Sequence, residues 1–280
     1  MQINIGDKSL MMILLLEECN LTCAHCSRED EPMEPGYRLS FRQLQLCLSD
    51  CHRLNTVNWV HFSGGEPTLW TEGNRALADV LLEVAKAGFI PGFTSNGSFF
   101  TDYGRCENFF KMYVDGSNMP LRLYLSIDTF HRNFDRETGR APSLDNVIRC
   151  RRELPAEKAN LIHITAMAVI SKNSKSLLPD EMVEHYESQG VTFGFVPLHR
   201  AGKAKKFSHL CPDLSHDNPD GLGAFQRYYR EGVWMKRNEL KRRGRTDHII
   251  LIGNDYFFSD PWQKVGRLGR LPDEITRAYT

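Results

Sequence analysis

The stretch Leu10-Met11-Met12-Ile13-Leu14-Leu15-Leu16-Glu17-Glu18-Cys19-Asn20-Leu21-Thr22-Cys23-Ala24-His25-Cys26 sets the reading of the whole chain. Its first half is short and almost continuously apolar, the pattern of a strand buried on both faces. Read with its flanks, the strand covers Ser9 to Glu18, and it delivers three thiols at its C-terminal end. Three closely spaced thiolates hold three irons of a [4Fe–4S] cluster and leave the fourth iron without a protein ligand. An open iron is a reaction site; a closed four-cysteine cluster is an electron store. The alternatives are a zinc knuckle or cysteines that merely pack. Zinc asks for a fourth ligand at a suitable spacing, and His25 is wedged tightly between Cys23 and Cys26.

Downstream, Val57 to Phe62 forms a second strand that ends in Ser63-Gly64-Gly65-Glu66-Pro67. Paired glycines permit backbone conformations and close approaches that a side chain blocks. Glu66 then presents a carboxylate at the strand tip, suited to accept hydrogen bonds from an ammonium group. A tight turn is the plainer reading of the same residues. Together, the C-x3-C-x2-C loop and the Gly-Gly-Glu-Pro motif resemble the radical S-adenosylmethionine (SAM) superfamily. The resemblance implies a [4Fe–4S] cluster on Cys19, Cys23 and Cys26, with SAM bound at the open iron. It places the SAM amino group on the Ser63, Gly64, Gly65 and Glu66 segment, and His25 against the adenine. It extends to Asn96, in the turn Thr94-Ser95-Asn96-Gly97. It also extends to Ser126 and Asp128 in Leu-Ser-Ile-Asp, expected to reach the ribose and methionine carboxylate. Arg140 is a candidate for that carboxylate, and the backbone around Val196 for the adenine. Solvated turns and a surface arginine account for Ser126, Asp128 and Arg140 without a ligand.

The rest of the chain alternates strand and helix signals. Ser40 with Gln43 gives a capping-box start to a helix striped by Leu44, Cys47, Cys51 and Leu54, the two thiols read as packing. A helix is expected from Thr71 to Ala87, stopped by Gly88, then strands over 89–93, 121–127, 160–170 and 191–196, with helices between them. Six such units imply an α/β fold with a parallel sheet and outer helices. Ligand sites in such sheets lie at the strand C-termini, where every motif above falls. The resemblance runs over roughly residues 9–205 and implies a partial (β/α)6 TIM-like barrel as one domain, 1–205. Residues 206–280 form a small C-terminal extension, expected to cover the barrel mouth.

That extension holds a basic stretch over 225–245, usually a solvated face. Without a base-stacking motif it argues against a nucleic-acid partner. Residues 248–271 resemble a shortened auxiliary segment of the SPASM/twitch type, but no cysteine follows Cys211, so a second cluster is not expected. Formal charge is zero, and eight cysteines come without an export signal or an apolar run long enough to span a membrane, which points to the cytoplasm. The resemblance implies reductive cleavage of SAM, by an electron from a flavodoxin- or ferredoxin-like donor, to a 5′-deoxyadenosyl radical that takes hydrogen from a small-molecule or peptide substrate. Only eighteen residues precede Cys19, which favours a small molecule over a leader-dependent peptide. Cys211, outside the core helices, is the candidate hydrogen donor for a redox-neutral epimerisation. A dehydrogenase, a glycyl-radical activating enzyme and a non-catalytic Fe–S or zinc protein are the competing readings.

Overall fold

The computed structural model describes residues 5–26, 36–54, 57–128, 131, 140–171, 178–198, 202–210, 246–252, 255–260 and 263–270. The first strand, β1 (Ile5–Leu16), is followed by α1 (Phe41–Leu54) and β2 (Val57–Gly64). Leu14, Leu15 and Leu16 are buried, as are Met11 and Ile13. This is the two-sided burial that the unbroken apolar run requires. Helix α1 starts as its capping box dictates. The Ser40 amide donates to Gln43 Oε1 at 2.8 Å, and the Gln43 amide donates back to Ser40 Oγ at 3.2 Å. Leu44, Cys47, Leu48 and Cys51 then recur along the buried stripe, so the Cys47 and Cys51 thiols do pack in the core.

After β2 the chain departs from the sequence expectation. Instead of one helix from Thr71, a hairpin of β3 (Thr71–Glu72) and β4 (Arg75–Ala76) precedes α2 (Leu77–Lys86). Gly73 sits in the turn at φ 60°, and Asp79 Oδ2 accepts the Ala76 amide at 2.8 Å, which starts the helix late. The units β5 (Ile90–Ser95), α3 (Tyr103–Gly116), β6 (Leu121–Ser126) and α4 (Pro142–Glu153) follow. A single turn, α5 (Ala156–Ala159), leads into β7 (Ile162–Ile170), α6 (Asp180–Glu187) and β8 (Thr192–Pro197). Three further strands are β9 (Thr246–Ile252), β10 (Asp255–Asp260) and β11 (Gln263–Arg270).

The main sheet runs β11-β10-β9-β1-β2-β5-β6-β7-β8. Neighbours from β1 to β8 are all parallel, giving the six expected parallel strands. At the other edge β9 pairs parallel to β1, and β10 and β11 return antiparallel. The two sheet ends, β8 and β11, are not paired with each other among the described residues, so this is an open, partial barrel. Strands β9, β10 and β11 thus lengthen the sheet beside β1.

One face of the sheet carries Val60, Phe62, Phe93, Leu123, Leu125, Ile164, Ala166 and Phe193, all fully or almost fully buried in one core with the helices. The intervening residues take the other face, where the period-2 alternation puts polar and aromatic groups. There His61 Nε2 lies 2.8 Å from Thr94 Oγ1, Tyr124 meets His61 edge-on, and Arg122 lies over the Trp59 ring. Phe93 joins the buried ring cluster of Phe100 and Phe109. Phe93→Ala is expected to cost about 3–5 kcal/mol. A lower urea midpoint measures it; an unchanged midpoint would contradict this packing.

Candidate active site

The site is built where the ends of β1, β2, β5 and β6 meet. On one side of the β1 exit, the Leu39 amide donates to Leu15 O at 2.8 Å and the Glu17 amide to Tyr37 O at 2.9 Å. Arg38 reinforces this side: its guanidinium bonds Glu18 Oε2 at 2.8 Å and Thr71 O at 2.9 Å. On the other side, the Gly65 amide donates to Leu16 O at 2.7 Å and the Glu66 amide to Glu18 O at 2.8 Å. A β-carbon on Gly65 would lie 1.7 Å from Glu18 O, and one on Gly64 would lie 2.5 Å from Leu16 O. Gly64 also has φ 122°, a conformation that side chains oppose. Both glycines are therefore needed for the second motif to lie along the backbone that carries Cys19.

Glu66 follows directly and is buried, 1% exposed. Its Oε1 accepts from Ser95 Oγ at 2.8 Å and Thr68 Oγ1 at 2.7 Å, and its Oε2 from the Asn96 amide at 2.7 Å. Burial pushes its carboxyl pKa up, against the pull of the Asn96, Thr68 and Ser95 donors. The side chain is held in place with an acceptor edge at the strand ends.

The cysteine loop is pinned through its own polar residues. Asn20 Nδ2 donates to Ser98 Oγ at 2.7 Å, and Asn96 Nδ2 donates to Asn20 Oδ1 at 2.8 Å. The Leu21 amide lies 3.5 Å from Cys19 Sγ, and Asn96 Nδ2 lies 3.8 Å from the same sulfur. The Cys26 amide closes back on Cys23 O at 3.2 Å, and the Lys203 amide donates to Cys26 O at 2.9 Å. Cys19 is exposed, Cys23 and Cys26 half-buried, all three as free thiols. Although Cys19 reaches solvent, desolvation on its inner side raises its pKa against the Leu21 and Asn96 donors, with Glu66 and Cys23 acting in the upward direction.

From the third side, Asp128 at the end of β6 is fully buried and accepts from the His131 amide and His131 Nδ1, each at 2.9 Å, and from the Val169 amide at 3.2 Å. Burial raises the Asp128 pKa, but the hydrogen bonds and charge of His131, with a contribution from His25, together outweigh it and hold the carboxyl below its usual range. For His131, burial opposes the charge, yet bonds to Asp128 and Cys23 push its pKa up to about 10. His25 meets His131 edge-on at 4.6 Å between ring centroids, and burial, then His131, brings it down to about 4.

Most sequence-predicted residues therefore converge. Cys19, Cys23, Cys26, His25, Gly64, Gly65, Glu66, Asn96 and Asp128 form one connected set. Ser63 pairs with Leu14 in the β1–β2 ladder, and Ser126 lies two residues before Asp128, largely buried. Val196 pairs with Val169, whose amide Asp128 holds. Arg140 stands apart: it is exposed, with its guanidinium 3.6 Å from Asp145. Asn96 turns its amide toward the cysteine loop. Cys211 lies outside the described residues. Sequence reading missed Asn20, Ser98, Arg38 and the role of His131; polar residues clustered at strand ends were the available signal.

Three thiols in one short loop fit an iron–sulfur cluster with an open iron better than a zinc site. The two glycines whose β-carbons have no room, followed by an immobilised carboxylate, fit an ammonium-bearing ligand beside that loop. The same conclusion comes from comparison with known proteins. The radical SAM superfamily model matches residues 13–187, more than half of the chain. The chain belongs to the radical SAM superfamily, whose cofactors are a [4Fe–4S] cluster and SAM.

A tungsten-containing aldehyde ferredoxin oxidoreductase cofactor-modifying protein of Pyrococcus furiosus is 33% identical over 99 residues, 33% of this chain and 26% of that protein. The match thus spans about a quarter of that relative's length. SuiB of Streptococcus suis, solved with S-adenosylmethionine, superposes with a TM-score of 0.57 at 12% identity, covering 98% of this chain and 66% of SuiB. The structure of anSMEcpe with bound AdoMet gives a TM-score of 0.55 at 14% identity, covering 97% and 80%. These two share the fold. The family model ends at 187, before the C-terminal strands, so those strands gain no family name from it.

Gly65→Ala tests the cradle directly. The displaced Glu18 carbonyl shifts the loop, and iron retained after anaerobic reconstitution should fall to less than half of the wild-type amount. Full iron content in the variant would contradict the packing.

Proposed function

We propose that this chain is a single-cluster radical SAM enzyme that abstracts hydrogen from a polar small-molecule or peptide substrate. The observation that carries the reading is the clamp of Gly65 and Glu66 onto Leu16 and Glu18, at 2.7 and 2.8 Å, which sets a buried carboxylate beside the three-thiol loop. An electron carrier has no use for an ammonium acceptor there. When bound, the cluster and SAM supply one-electron cleavage of the sulfonium and hydrogen abstraction from an unactivated carbon.

The chain's own residues bind and orient. Cys19, Cys23 and Cys26 hold the cluster. Glu66 accepts the ammonium of SAM, and Ser63, Gly64 and Gly65 set it beside the cysteine loop by running against the Leu16–Glu18 backbone. His25 and the backbone at Val196 serve the adenine, and Ser126 the ribose. Asp128 spends its oxygens on His131 and Val169 and works by fixing His131 beside Cys23. Arg140, exposed and 3.6 Å from Asp145, is the candidate for the methionine carboxylate. The polar and aromatic sheet face of His61, Thr94, Arg122 and Tyr124 suits a substrate with hydrogen-bonding groups. Orientation of the reacting carbon is the chain's main catalytic contribution, worth up to about 7–11 kcal/mol. Electrons come from a flavodoxin- or ferredoxin-like donor.

For the outcome after abstraction we favour a redox-neutral epimerisation. Four of the seven described cysteines, Cys47, Cys51, Cys106 and Cys150, are buried, and the other three form the loop, which leaves Cys211 as the remaining thiol of the chain. Its S–H bond breaks as the new C–H bond forms on the substrate radical. The thiyl left behind returns to a thiol with one electron from the donor and one proton. Cys211→Ala should still release 5′-deoxyadenosine while losing inversion of the substrate; full inversion would refute the role. Dehydrogenation and glycyl-radical activation make the opposite forecast, unaltered turnover.

The class itself is tested by anaerobic reconstitution and reduction with SAM. About four irons per chain and release of 5′-deoxyadenosine are expected, both lost in Cys23→Ala. About eight irons would restore a second cluster and dehydrogenation; no cluster, or no cleavage, would favour a non-catalytic Fe–S or zinc protein. Glu66→Gln should weaken SAM binding at least about tenfold, roughly 1.4 kcal/mol, with the fold intact by circular dichroism. Unchanged calorimetric affinity would remove Glu66 from the ammonium site.

A further inference from the structure

Asn96 joins the two halves of the site through different parts of one residue. Its backbone amide donates to Glu66 Oε2 at 2.7 Å, while its side-chain amide lies 3.8 Å from Cys19 Sγ and donates to Asn20 Oδ1 at 2.8 Å. Two contacts fix the orientation of that side chain. The Ser98 amide donates to Asn96 Oδ1 at 2.9 Å, which forces Nδ2 toward the loop, and Asn20 is itself tied to Ser98 Oγ at 2.7 Å. The turn geometry thus settles which end of the Asn96 amide meets the cysteine: the donor end. A second donor, the Leu21 amide at 3.5 Å, converges on the same sulfur.

The sequence resemblance gave Asn96 to SAM. We propose instead that Asn96 is a positioning residue for the cluster, donating an N–H···S bond to the Cys19 thiolate and raising the cluster's reduction potential. The proposal rests on the radical SAM reading of the site. The physical basis is electrostatic: one-electron reduction adds negative charge to the cluster, and a donor aimed at a ligand sulfur stabilises the more negative state. Because the same residue holds Glu66 through its backbone, removing the side chain leaves the carboxylate's Asn96 bond in place. Effects on the cluster and on the ammonium site are therefore separable.

The test is an EPR-monitored redox titration of the reconstituted protein, with iron content measured on each sample. The variants are Asn96→Ala, Asn96→Asp and Ser98→Ala. Asn96→Asp is nearly isosteric, loses the donor and adds a charge; Ser98→Ala removes the hydroxyl that receives Asn20 but leaves the Asn96 amide in place. The expected result is a wild-type iron content with midpoint potentials falling in the order wild type, then Ser98→Ala by a smaller step, then Asn96→Ala, then Asn96→Asp, the last most negative. Equal potentials in all four proteins would overturn the proposal. So would equal shifts in Ser98→Ala and Asn96→Ala, which would mean general loosening of the loop. If Asn96→Ala does not fold, Asn96→Asp decides by its potential. A folded Asn96→Asp protein without a cluster would make the residue a scaffold only and overturn the tuning role. A wild-type chain that takes up no cluster would instead overturn the radical SAM reading, and this role with it.

Discussion

Two backbones lie against each other with no room for a single β-carbon between them, and the site depends on that approach. Gly64 and Gly65 run along Leu16 to Glu18 so closely that added side chains would overlap carbonyl oxygens. The amides of Gly65 and Glu66 convert this closeness into hydrogen bonds. A segment that leaves a sheet as a cysteine loop is thereby registered against a carboxylate that leaves the next strand. Tyr37, Arg38 and Leu39 grip the same short stretch from the opposite side. The loop is thus fixed at its root, although it makes no regular secondary structure.

Everything outward from this contact follows a division of labour between the two faces of the sheet. The helical side is a continuous apolar core, in which even four cysteines serve as small hydrophobic groups. The strand ends carry the hydrogen-bonding groups, and these are spent on one another: Ser95 and Thr68 on Glu66, Ser98 on Asn20, Asp128 on His131. Such a network holds donors and acceptors in fixed positions before any ligand arrives. Parallel sheets deliver every strand end to one edge, and this lets residues far apart in sequence build a single site.

Much of this was legible in the chain. The apolar run of β1, the capping box of Ser40 and Gln43 and the alternation of strands and helices all carry local signals, and each led to an observed element. The two motifs were legible because glycines and cysteines have few other reasons for such spacing. What escaped was non-local. The Thr71–Ala76 hairpin was hidden because the helix was carried upstream of Leu77, whereas Gly73 and the Asp79 cap set its start at Leu77. The pairing of β9 with β1 brings together residues from opposite ends of the chain, a contact no local pattern encodes. Asn96 was found as a site residue, but the direction of its amide is set by Ser98 and Asn20, which sequence alone does not place around it. Similarly, the Leu-Ser-Ile-Asp run marked Asp128 without showing that its carboxylate is committed to His131.

The measurement that bears most directly on the account is the EPR spectrum of the reduced, reconstituted chain with and without SAM. If the three-thiol loop leaves an iron open beside the Glu66 carboxylate, the spectrum changes when SAM is added, and in Glu66→Gln the same change needs at least about tenfold more SAM. A cluster whose spectrum ignores SAM would contradict the central claim that the glycine contact joins a cluster site to an ammonium site.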